Sequence, residues 1–137
     1  MRFPFRHLPA VHGGELTPRP VVDVWLEGIA EVALGCLVDT GALRTRFSRE
    51  LAVAAGIDLD DALGEQFAVG GQVVTGVPAR VTLTLGTAAN AHAWDAAVWF
   101  CDPWPFAFQL LGLDGFLRHF RVTVSAYREW IDCRPEA

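Results

Sequence analysis

The sequence predicts a mostly β domain with two short helices. Three observations carry that prediction. Apolar and polar residues alternate along several stretches, as they do on half-buried strands; glycine and proline punctuate those stretches; and the windows with helical spacing last only a turn or two. The chain has 137 residues, a length that suits one domain around one core, and at 52% hydrophobic it can fill that core.

Taken in order, residues 1–19 read as a lead-in arm. Pro4, Pro9, Pro18 and the Gly13-Gly14 pair are expected to keep it free of regular structure. The domain proper is placed at 20–137. Val22, Val24 and Leu26 alternate with Asp23, Trp25 and Glu27 as a half-buried strand, and Gly28 turns the chain. Residues 32–38 form a second, largely apolar strand. Ser48 is placed to N-cap a helix over Arg49–Ala55 that Gly56 stops. Residues 57–64 are an acidic connection. Residues 66–69 and 72–74 flank Gly70-Gly71, a hairpin signal. A further strand runs over 77–85 with Val81, Leu83 and Leu85 on one face. Residues 86–90 turn, and 92–101 form a strand that Asp102-Pro103-Trp104-Pro105 ends. A short strand at 108–111, one or two helical turns at 114–119 behind Asp114 as N-cap, and strands at 120–124 and 127–133 complete the chain.

Composition excludes several classes. A net charge of −5 argues against nucleic acid as a partner, because phosphate binding wants a basic face. Three dispersed cysteines, Cys36, Cys101 and Cys133, form no CxxC pair and read as buried free thiols. His7, His12, His92 and His119 show no ligand spacing, so neither metal nor other cofactor is expected. The most membrane-like stretch, 93–113, holds Asp95, Asp102, Pro103 and Pro105, which argue against a spanning helix. No apolar run near Met1 resembles an export signal, so the expectation is a cytoplasmic protein with no membrane partner.

The residues with chemistry lie in Leu37-Val38-Asp39-Thr40-Gly41-Ala42. Asp-Thr-Gly alone is a weak signal, and Asp39 can be read as a turn residue at a strand end. Its setting gives it weight, because a buried-looking strand delivers it into a turn. A carboxylate that activates water needs a rigid strand end to orient it. Gly41 lets backbone N–H groups approach, the Thr40 hydroxyl can lock the turn, and the small Ala42 leaves room for a partner.

In these features the sequence resembles the single-lobe, retropepsin-like aspartic proteases. Asp39-Thr40-Gly41-Ala42 stands where that family has Asp-Thr/Ser-Gly-Ala, and Thr45 where a Ser or Thr often follows. Phe67-Ala68-Val69-Gly70-Gly71-Gln72-Val73-Val74 matches a flap hairpin, and Leu110-Leu111-Gly112 the late motif. The resemblance implies a closed acid-protease-like β-barrel, a single lobe with a flap hairpin and one or two short helices. It implies an aspartic endopeptidase acting on peptide or protein substrates. Asp39, Thr40 and Gly41 would be the catalytic residues, and Ala42, Ala68, Val69, Gly70 and Gly71 the substrate-binding ones. This chemistry needs two carboxylates sharing a proton, and the chain has one Asp-Thr-Gly, so the resemblance further implies a homodimer with Asp39 from each copy.

Two departures from the pattern stand out. Arg44 and Arg46 follow closely, and a guanidinium near the dyad would oppose the shared proton; both side chains are expected to point outward. Gly115 separates Asp114 from Phe116 and is expected to loosen the late helix. The aromatic residues Trp94, Trp99, Trp104, Phe106 and Phe108 read either as core or as pocket and dimer lining. Two other functions stay open: a non-catalytic peptide-binding module on the same fold, and a structural or assembly domain.

Overall fold

In the computed structural model, which describes residues 1–9 and 14–136, twelve strands and one α-helix follow one another along the chain. Alternation explains the first barrel strand. In β4 (Val21–Leu26), Val22, Val24 and Leu26 are fully buried while Asp23 and Trp25 are only half covered. The same period puts Leu34, Cys36 and Val38 of β5 (Leu34–Val38) into the core. Thr45 and Phe47 of β6 (Thr45–Ser48) follow suit.

The helix α1 (Arg49–Ala55) begins after Ser48, which is extended but whose hydroxyl makes no capping bond; its N–H donates instead to the Gln109 side chain at 2.8 Å. Gly56 ends α1 in the left-handed conformation at φ 70°, closing the turn as a C-terminal glycine does. The hairpin β7 (Glu65–Val69) and β8 (Gln72–Leu85) turns at Gly70 and Gly71, both left-handed at φ 58° and 79°. The return strand was expected to stop and restart before residue 77. It runs unbroken for 14 residues, because β9 (His92–Asp102) pairs with it from Thr75 to Leu85 and carries it through Gly76.

Six strands close into a ring in the order β4, β5, β10 (Gln109–Leu111), β6, β9 and β8, with β8 pairing back onto β4. The fold is thus mostly β and barrel-closed. β7 lies outside the ring, attached only to β8. Inside, Phe47, Leu83, Leu85, Val98, Phe100 and Leu111 meet in one core. A second cluster under the hairpin joins Val69, Val74, Cys101, Phe108 and Leu110. The three cysteines are free and buried.

Two further expectations are corrected. The lead-in arm is not irregular: β1 (Arg2–Pro4) pairs with β12 (Trp130–Pro135), and β2 (Arg6–Pro9) with β3 (Leu16–Arg19). Its prolines sit on edge or two-stranded ribbons, where one side of the backbone needs no partner. His12 and Gly13 lie outside the described residues. The second correction concerns residues 114–119, which form no helix. Gly115 is left-handed at φ 94°, and the turn widens so that Leu117 and Arg118 donate to Gly112 and Leu113, five residues back. Asp114 therefore caps no helix; its carboxylate pairs with Arg118 at 2.6 Å. The chain then enters β11 (Phe120–Ser125), which pairs with β12. Among the described residues no helix is long and apolar enough to cross a membrane.

Candidate active site

Asp39 is the first residue beyond β5, and the strand beside it fixes its position. β10 runs parallel to β5, with Leu110 opposite Leu37 and Leu111 opposite Val38. The Asp39 N–H then donates to the Leu111 carbonyl at 2.9 Å, one last rung of that ladder. The chain turns over Gly41, whose N–H donates to Asp39 Oδ1 at 2.9 Å, while Ala42 N–H donates to the Asp39 carbonyl at 3.2 Å. A Cβ at position 41 would lie 3.3 Å from Asp39 Oδ1, so the absent side chain helps this close approach. As a residue Asp39 is half-buried.

Behind the turn the loop is braced by Thr45, which is fully buried. Its hydroxyl accepts from Gly112 N–H at 3.1 Å and donates to the Asp114 carbonyl at 2.8 Å. Leu113 N–H donates to the Ala42 carbonyl and Asp114 N–H to the Leu43 carbonyl, both at 2.9 Å, so the late turn is sewn to the Asp39 loop. Gly112 is required there: a Cβ would strike the Arg44 carbonyl oxygen. Trp94 Nε1 holds the Gly115 carbonyl at 2.8 Å from the core side.

A cavity of about 330 Å³ opens in front of Asp39. The residues named from sequence that line it are Asp39, Gly41, Ala42, Ala68, Val69 and Gly70. Two named residues do not. Thr40 is exposed, and its hydroxyl makes no hydrogen bond among the described residues, so it does not lock the turn; Gly41 and Thr45 hold it instead. Gly71, at the far side of the hairpin tip, faces open space. Leu37, Leu110, Phe106, Phe108, Arg19 and Arg46 also line the cavity. Phe106 and Phe108 stack at 5.2 Å, and Phe106 supports the hairpin tip: a Cβ on Gly70 would meet its ring at 2.7 Å. Trp94 belongs to the core, Trp104 packs edge-on to Phe106, and Trp99 is the platform for Arg44.

The two arginines part ways. Arg44 turns from Asp39, pairs with Glu65 at 2.9 Å and stacks over Trp99 at 4.1 Å. Arg46 does not point away into solvent as expected. It borders the cavity, stacked over Phe67 at 4.3 Å. Alternation did set it opposite the core residues Thr45 and Phe47, but Phe67 of β7 lies over it on that face. Neither arginine forms an ion pair with Asp39. Among the described residues no cluster of His, Cys, Asp or Glu is grouped as a metal site would be.

The fold has counterparts in solved structures. A retropepsin-like aspartic protease from Rickettsia conorii superposes with a TM-score of 0.57 at 15% identity, covering 96% of this chain and 97% of that one. The retroviral protease-like domain of Ddi1 from Leishmania major superposes with a TM-score of 0.52 at 16% identity, covering 85% and 94%. No protein-family model and no curated protein matches the sequence. The chain therefore has the retropepsin-like fold over nearly its whole length. At these identities the likeness establishes the fold alone.

Proposed function

We propose that the protein is an aspartic endopeptidase whose active site forms when two copies bring their Asp39 carboxylates together. The observation that carries the reading is the placement of Asp39: a carboxylate pinned at a strand end, in a cavity roofed by a glycine-tipped hairpin. No second carboxylate lines that cavity among the described residues, so a partner must supply one. Leu43, four residues beyond Asp39, leaves 69% of its surface exposed, and with Thr40 and Gly41 it gives the loop a face for a second copy. In the dimer one Asp39 takes a proton from water, and the resulting hydroxyl adds to the peptide carbonyl carbon. The other Asp39, protonated, hydrogen-bonds the carbonyl oxygen. The amide nitrogen then gains a proton as the C–N bond breaks. The substrate lies extended under the β7–β8 hairpin, where backbone hydrogen bonds can hold it as an added strand.

The test is Asp39→Asn. Peptide cleavage should fall by at least about a thousandfold, as expected when a group essential to general acid–base chemistry is lost. The melting temperature should hold, and sedimentation should show a concentration-dependent dimer. Cleavage that survives the substitution, or a chain that stays monomeric at high concentration yet cleaves, would remove this mechanism. The second reading, a peptide-binding module without catalysis, is favoured by one observation. Arg46 borders the same cavity as Asp39, a cationic wall that suits holding a peptide group and that proton-sharing carboxylates do not need.

A further inference from the structure

Six of the chain's arginines, at positions 6, 44, 49, 118, 121 and 134, are ion-paired to carboxylates. Arg19 and Arg46 form no ion pair among the described residues, and both line the cavity in front of Asp39. A protein of net charge −5 thus has two guanidiniums against one carboxylate around this groove. Arg46 is the more telling of the two. Its Nε is buried and has no hydrogen-bond partner among the described residues. A donor withdrawn from water and left without an acceptor is costly, and it is tolerated where a ligand brings the acceptor. The guanidinium carbon stacks over the Phe67 ring, and a planar guanidinium stacked on one face keeps its edge for an acceptor in its own plane. The apolar walls, Leu37, Phe106, Phe108 and Leu110, suit the methylene stem that carries such an acceptor.

We propose that this groove selects peptides bearing an acidic side chain, with Arg46 pairing to the incoming carboxylate and Arg19 adding positive charge at the cavity wall. The inference rests on the reading of the cavity as a peptide groove. It does not require the chain to cleave what it binds. Burial is the main influence on Arg46 and pushes its guanidinium below the ordinary value. Cys101 and Asp39 pull the other way, and Arg44 adds to the lowering.

The experiment uses the full chain and short fluorescent peptides with amidated C-termini, in pairs that differ by Glu or Gln at one position, read by anisotropy. In at least one register the Glu peptide should bind about tenfold tighter than its Gln twin, the scale of one charge-assisted contact. Added salt should narrow the gap. Arg46→Met should abolish the preference, and Arg46→Lys should restore part of it. Should Arg46→Met fail to fold, Arg19→Gln on the N-terminal ribbon provides the second variant, expected to reduce the preference about threefold by loss of one nearby charge. Equal binding of Glu and Gln peptides in every register overturns the proposal. So does a Glu preference that survives in folded Arg46→Met, or binding that follows a free peptide C-terminus rather than the side chain. Glu-selective binding without hydrolysis supports it while removing the peptidase reading; hydrolysis with no Glu preference does the reverse.

Discussion

The hydroxyl of Thr45 shows how much of the Asp39 loop depends on one buried atom. It bonds at once to Gly112 N–H and the Asp114 carbonyl, from a residue with no exposed surface. Thr45→Val keeps the shape and leaves the Gly112 N–H without an acceptor, which costs about 1–3 kcal/mol. Chemical denaturation should show that loss, and Thr45→Ser should recover most of it. An unchanged midpoint for Thr45→Val would mean that the loop is held without this bond. Residues at this scale were unevenly legible. Asp39 and Gly41 could be read because backbone turn chemistry is local. That Thr45 rather than Thr40 braces the turn was not legible, since it depends on Gly112 and Asp114, far away in sequence. Arg46 was misread for a related reason: its strand face is defined by alternation, but what covers that face is a later strand.

Among the elements, the β7–β8 hairpin separates two glycines that look alike in sequence. Both are left-handed, so either substitution by alanine carries backbone strain of about 1–2 kcal/mol. Only at Gly70 would the added Cβ also strike Phe106, at 2.7 Å, whereas Gly71 faces open space. Gly70→Ala should therefore destabilise more than Gly71→Ala and weaken peptide binding as well, because Phe106 must move within the groove. Equal effects of the two in paired melting and binding measurements would show that Phe106 yields freely. The turn was legible because Gly-Gly between apolar stretches specifies it. The ribbon formed by β2 and β3 was not, since prolines that forbid a central strand are compatible with an edge one. The missing helix at 114–119 has its cause in Gly115, where a side chain would strike the Ala97 carbonyl oxygen at 2.6 Å and Thr45 Oγ1 at 2.7 Å.

For the molecule as a whole, stability should fall on mild acidification, and His119 is one cause. Burial first, then the charges of Arg80 and His92, hold its imidazole below the ordinary value of 6.5. The unfolded chain therefore takes up this proton more readily than the folded one. The contribution of His119 is fully present above 6.5 and is lost as pH falls through the lower folded value. Melting temperatures of His119→Gln and the unaltered protein should run parallel above pH 7 and draw apart below about 6.5, with the variant less sensitive to acid. Parallel curves throughout would exclude this group. The closed barrel was legible only through the order of motifs along the chain, since strand periodicity cannot say which strands pair. The pairing of β4 with β8 that closes the ring joins distant segments, and no local pattern encodes it.

The strand β10 has a consequence for how the protein comes into being. It lies between β5 and β6, two strands made far earlier, and supplies the carbonyl that seats Asp39. A ribosome-bound chain that has not yet released Gln109–Leu111 holds its carboxylate on an unfinished floor. Contacts this distant in sequence also form slowly. If the protein cleaves peptides, no copy can offer a seated Asp39 to its partner until Gln109–Leu111 have folded between β5 and β6.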